Sequence, residues 1–152
     1  MKLAEALLFQ VDYQKKIQQL KERLIRTAKV QEGETPPEDP QALLAELDST
    51  VNQLTNLTRK INKTNSATAL NEDMTIADAL TSRELILLKQ SVYDSLVQTA
   101  ATPLERYSRS EIRYLSTINI NDIQRKIERM SHDYRELDIQ IQQASWQTEL
   151  ID

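Results

Sequence analysis

Residues 123–144, IQRKIERMSHDYRELDIQIQQA, place Ile123, Ile127, Met130, Tyr134, Leu137, Ile141 and Ala144 at alternating spacings of four and three. Such a repeat is a heptad seam, the mark of a helix that lays one apolar stripe against a partner helix. Between the seam positions lie Arg125, Lys126, Glu128, Arg129, Asp133, Arg135, Glu136 and Asp138, which keep the remaining surface in water. One stripe demands a partner, so the rest of the chain is expected to supply further helices.

Composition agrees. One glycine and four prolines leave few breakpoints, and 5% aromatic content is too thin for a sheet core, so 39% hydrophobic residues must serve an aliphatic helical core. A chain of 152 residues suits one domain. The absence of cysteine excludes disulfides, thiol nucleophiles and thiolate metal sites. Glu5 interrupts what a secretory signal would need as an apolar core, and the runs at 6–9 and 85–88 fall far short of the roughly 18 apolar residues of a membrane span. A soluble cytoplasmic protein is expected, with the membrane not a partner.

The net charge of -4 conceals blocks: seven Lys/Arg against three Asp/Glu in residues 1–30, six acids and no base in 31–50, three bases and no acid in 51–70. Alternation of this kind fits neighbouring helices that complement one another.

Read outward from the seam, the chain predicts four long helices over about 2–29, 40–63, 76–101 and 120–146, packed as an antiparallel coiled-coil-like bundle in a single domain. In the first, Leu3, Leu7, Val11, Ile17, Leu20, Leu24 and Ala28 are expected inward. A connector follows at 32–39, with the only glycine, Gly33, and the pair Pro36-Pro37. Asp39 as N-cap and Pro40 at the first helical position open the second helix. Its expected stripe is Leu44, Leu47, Val51, Leu54 and Ile61, interrupted by Thr58. The polar run 62–68 should end it, because short polar side chains compete for backbone groups. Asn71, Glu72 and Asp73 suit a turn.

The third helix carries Leu80, Leu85, Ile86, Leu87, Leu88, Val92, Leu96 and Val97 on more than one face, which predicts the most buried helix. After Pro103 one more helical turn is expected, and then Ile112, Tyr114, Ser116, Ile118 and Ile120 alternate with a period near two. That segment, 106–118, is expected to be extended and to form a small sheet of short strands with 67–76 at one end of the bundle, and a small hairpin is expected about the 71–73 turn. Asn119 caps the last helix, with Asp122 at N3 and Ile118 facing Ile123 as a staple.

Most chemistries are excluded by what is missing. One glycine cannot build a phosphate loop or dinucleotide fingerprint. The lone His132, opposite the seam, cannot make a multi-histidine zinc site, the acids of 32–39 lack calcium-loop spacing, and no Glu-x-x-His pair exists for a di-iron bundle. No cofactor, metal, catalytic residue or small-molecule substrate is inferred. Two features remain. Arg106, Tyr107, Arg109 and Arg113, with Asn65 and Ser66, form a candidate anion- or partner-binding set, since guanidinium and aromatic groups suit phosphate and bases; the alternative is that Glu111, Asn65 and Ser66 simply satisfy the arginines. Ile139 and Trp146, one heptad apart on the back of the seam helix, are a candidate homo-oligomer interface; packing of Trp146 by Leu150 and Ile151 is the alternative.

The blocks MKLAEAL (1–7), AKVQEGE (28–34), INKTNS (61–66), RYSRSEI (106–112) and ASW (144–146) resemble a small bacterial family of uncharacterised helical proteins often labelled septicolysin. The resemblance spans nearly the whole chain; NEDM at 71–74 departs from it, where a glycine-containing turn is expected. It implies no established reaction, and its label implies a pore-forming toxin, for which no amphipathic, strongly hydrophobic helix is present. The sequence therefore leads to a non-enzymatic, self-associating helical bundle, with a membrane-active toxin and an anion- or nucleic-acid-binding module as alternatives.

Overall fold

The computed structural model describes residues 1–102 and 112–152. The fold is mainly α: helices α1 (Leu3–Thr27), α2 (Pro40–Ala67), α3 (Ile76–Ala101) and α4 (Ile120–Gln147), with no sheet among the described residues. Two compact units divide the chain, one of Met1–Ile76 with Gln142–Asp152, the other of Ala77–Ile141.

In the first unit α1 and α2 run antiparallel. Their cross-helix contacts descend in reverse order, Arg23 with Glu38, Lys16 with Glu46 and Gln10 with Thr58. The basic block of α1 thus meets the acidic block that follows it. The connector turns at Gly33, whose φ of 85° lies where side chains are strained. Asp39 caps α2 as expected, accepting from the Gln41 amide at 3.0 Å.

The seam of this pair keeps Leu3, Leu7, Ile17, Leu20 and Leu24 of the expected α1 stripe and Leu47, Leu54 and Ile61 of the α2 stripe, and departs from them at the other positions. On α1 the inward positions include Ala6, Gln10, Tyr13 and Thr27, while Val11 is 44% exposed and Ala28 is exposed. On α2 Leu43 and Thr50 are buried, while Leu44 and Val51 face out. Threonine explains the shift. Thr50 Oγ1 and Thr64 Oγ1 donate to the carbonyls four residues back, each at 2.8 Å, so the hydroxyl is satisfied inside its own helix and the methyl packs. Gln10 and Thr58 interrupt their stripes at facing points and bond to each other at 3.1 Å. Leu20 and Leu3, fully buried, anchor the seam; each contributes about 1.5–3 kcal/mol of burial.

The polar run 62–68 does not end α2, which continues to Ala67. Tertiary partners outweigh the low propensity: Thr64 is fully buried and its Oγ1 accepts from the Ile151 amide at 2.9 Å. The segment after α4 then clasps the unit. Leu3 N–H donates to the Thr148 carbonyl at 2.9 Å and Leu150 N–H to the Met1 carbonyl at 2.8 Å. Lys2 pairs with Glu149 at 2.6 Å, and Lys60 with Asp152 at 3.0 Å.

The turn at 71–74 forms as expected. Asn71 Oδ1 accepts from the Asp73 and Met74 amides at 2.9 and 3.0 Å, and Ala69 bridges Thr75. The predicted strands do not follow: residues 112–117 belong to no strand, and 103–111, with the expected helical turn after Pro103, lie outside the described residues. Asn119 caps α4, its Oδ1 accepting from the Asp122 amide at 3.2 Å.

In the second unit α3 and α4 also run antiparallel, with Arg83 bonded to Asp138 and Gln90 to Ser131. The α4 residues Ile123, Ile127, Met130, Tyr134 and Leu137 of the expected seam are half-buried, and Ile141 is buried. Helix α3 is not the most buried helix. Leu85, Leu87, Leu88, Val92 and Leu96 are 40–62% exposed, because its α4-facing positions are Arg83, Ile86, Gln90, Tyr93 and Val97.

Candidate functional site

The chemistry open to this molecule depends on which side chains are both available and grouped. On α3 apolar residues stand on both faces, Ile86, Tyr93 and Val97 toward α4 and others away from it. The side toward α4 carries Arg83 and Gln90, each committed to a hydrogen bond at 2.5 and 2.9 Å. The opposite side presents Leu85, Leu88 and Val92, with exposures of 55%, 62% and 60%. Spacings of three and four put these three on one line along the helix.

At the C-terminal end of that line the second unit forms a groove of about 420 Å³, lined by Leu96, Thr99, Ala100, Tyr114, Leu115 and Ile118. Tyr114 and Leu115 are 76% and 83% exposed. A wider cleft of about 980 Å³ opens between the last turns of α3 and the first of α4, with Asp94, Gln98, Gln124 and Glu128 on its walls beside Val97 and Ile127. Among the described residues these walls offer two acids, Asp94 and Glu128, two amides and the Thr102 hydroxyl. In the first unit, Phe9, Tyr13, Leu57, Lys60 and Leu150 line a shallow apolar groove of about 350 Å³.

The residues singled out from the sequence fall in both units. Asn65 is buried in the first unit and Ser66 next to it is exposed. Arg113, in the second unit, is exposed; Arg106, Tyr107 and Arg109 lie outside the described residues. Ile139 is 46% and Trp146 54% exposed, so both present apolar surface. His132 lies at the surface, Nδ1 3.6 Å from Asp133 and Nε2 3.9 Å from Glu136. Among the described residues no three His, Cys, Asp or Glu side chains come together as a metal site. Nor is any described helix long and apolar enough to cross a membrane.

Electrostatics concentrates in the first unit. The Arg23 guanidinium, bonded to both Glu38 oxygens, holds that carboxyl below the usual carboxylate range. A hydrogen bond from Lys2, reinforced by the Met1 amino group, does the same for Glu149, and one from Lys60 does so for Asp152. All three are ion pairs that tie the clasp or the connector, and Lys60 also lines the shallow groove of the first unit.

Sequence reasoning missed the outward line on α3. The signal was present, in that Leu85, Leu88 and Val92 repeat at three and four just as Ile86, Tyr93 and Val97 do at seven and four. Two overlapping stripes on one helix were read as burial on all sides, when one of them is left open.

No curated protein matches the chain. The crystal structure of a functionally unknown conserved protein from Corynebacterium diphtheriae is similar to it at 42% identity over 99% of both chains, with a TM-score of 0.90. The family of unknown function DUF6847 matches residues 10–150, and the chain belongs to that family.

Proposed function

We propose that this chain is a non-catalytic helical protein that acts through protein–protein contact and associates with copies of itself. The observation that carries this reading is the open apolar surface. Leu85, Leu88 and Val92 on α3 and Ile139 and Trp146 on α4 are all 46–62% exposed, whereas scattered single residues are what a monomer normally shows.

Light scattering after gel filtration tests it. A mass that rises to at least twice 17.5 kDa between low and high micromolar concentration is expected; a strictly monomeric mass at 100 µM, taken as roughly the weak limit for a specific complex, overturns it. The toxin that the septicolysin resemblance implies is the competing reading. Dye release from anionic vesicles separates the two, with no leakage expected from a protein whose apolar rows meet other copies.

A further inference from the structure

The outward line on α3 has the sequence of a coiled-coil strand. Counting Leu85 and Val92 as the first positions of successive heptads puts Leu88 at the fourth, with Thr81, Ser95 and Thr99 continuing the line at either end. Valine at a first position and leucine at a fourth are the pairing favoured in two-stranded coils. Glu84 immediately precedes the first position and Lys89 immediately follows the fourth, so the two charges flank the apolar line on opposite sides.

Their spacing of five residues selects an orientation. In two parallel strands in register, the residue before a first position meets the residue five further on in the partner, so Glu84 of each copy faces Lys89 of the other. An antiparallel pair that seats Leu88 of one copy against Val92 of the other sets Glu84 near Gln98 and Lys89 near its own counterpart, and neither charge finds its complement. Within the chain both charges are available: Glu84 and Lys89 are exposed and neither makes an ion pair among the described residues. Lys89 only overlies the Tyr93 ring, 5.7 Å from its centroid.

Area supports a partner of some kind: with exposures of 40–83%, Leu85, Leu88, Val92 and Leu96 with Tyr114 and Leu115 leave open several hundred Å² of surface, at the upper end of what monomers tolerate. Flanking polar residues bring this toward the roughly 800 Å² that each partner gives to a standard interface.

We infer that a second copy of this chain covers the α3 line, helix against helix, parallel and in register, with reciprocal Glu84–Lys89 pairs. The inference rests on the self-association proposed above and specifies its surface and geometry. Sedimentation of the full chain is the test. Leu88→Glu is expected to weaken association about 30-fold or more while circular dichroism stays helical, since Leu88 is 62% exposed within one chain. Glu84→Lys and Lys89→Glu, each of which sets like charges opposite each other twice, are expected to weaken it about 10-fold. An equimolar mixture of those two variants restores association, because each then faces the opposite charge. The native chain has no cysteine, so Leu88→Cys reports cleanly; in the parallel register it forms a disulfide with its own counterpart under mild oxidation.

A wild-type chain that associates but is indifferent to Leu88→Glu overturns the α3 surface and leaves self-association standing. Failure of the mixture to recover, or of Leu88→Cys to cross-link, overturns the parallel register. A wild-type chain that stays monomeric overturns both proposals.

Discussion

The two units are built from the same material and finish differently. Each pairs two antiparallel helices along a heptad seam, yet the first buries Leu3, Leu20, Leu43 and Ile61 with four threonine or asparagine side chains, whereas the second buries Ala79 and Ile141 among its described residues. Two helices can enclose only the line where they touch. The first unit closes the deficit with a third piece of chain, residues 142–152, which adds backbone hydrogen bonds and ion pairs around the ends of α1 and α2. In the second unit α3 instead keeps a row of leucines open.

That contrast can be broken most severely in the first unit. Leu20→Ala, at a fully buried position, is expected to lower unfolding free energy by about 2–4 kcal/mol in urea titration. A loss under 1 kcal/mol there means that the first seam is as loose as the second. Next in size is Thr64→Val, which keeps the shape but strands the Ile151 amide; about 1–2 kcal/mol is expected, with faster hydrogen exchange at Ile151. Asp39→Ala removes the α2 cap, worth about 1 kcal/mol by the same measurement.

Acid probes the clasp. Glu38, Glu149 and Asp152 have carboxyl groups held below their ordinary range by Arg23, Lys2 and Lys60 respectively. A depressed carboxylate stabilises the folded state above its unfolded pKa, and the contribution disappears as pH falls through the folded value. Protection factors against hydrogen exchange in α1 and α2, taken relative to the intrinsic rate at each pH, should therefore fall on acidification below the usual carboxylate range. These pairs are exposed, so 1 M salt should blunt the same effect. The smallest effect belongs to the second unit: Leu88→Ala, measured at concentrations where the chain is dilute, should change unfolding by less than about 0.5 kcal/mol. A larger loss would show that the outward row already packs within one chain.

The sequence announced the helices better than their faces. Caps at Asp39 and Asn119, the Gly33 connector and the 123–144 seam follow from local chemistry that acts over a few residues, and all of them appear where local chemistry puts them. Faces are decided between helices, and there the apolar count misled. Thr50 and Thr64 pack like valines because their hydroxyls bond within the helix, so Leu44 and Val51 lost their places in the seam to residues that look polar. The run 62–68 reads as a helix end, and it stays helical because a segment 87 residues away supplies an amide to Thr64. Of the candidate site, Ile139 and Trp146 were legible as apolar residues on a polar face, and both are open. The row on α3 was not, since abundance of leucine on one helix does not say which of two stripes will be covered.

The clasp bears on how the protein is made. The first unit joins residues 1–76 to residues 142–152, so a ribosome that has finished α2 has not yet produced the piece that completes it. At about 5–20 residues per second the wait is roughly 4–15 seconds. During that interval Thr64 has no Ile151 amide to receive, Lys2 has no Glu149, and the end of α2 carries its weak helical propensity unaided. The nascent chain must carry a half-built unit while α3, with its row of leucines, emerges. That order makes residues 142–152, rather than the long seams, the piece whose arrival completes the first unit.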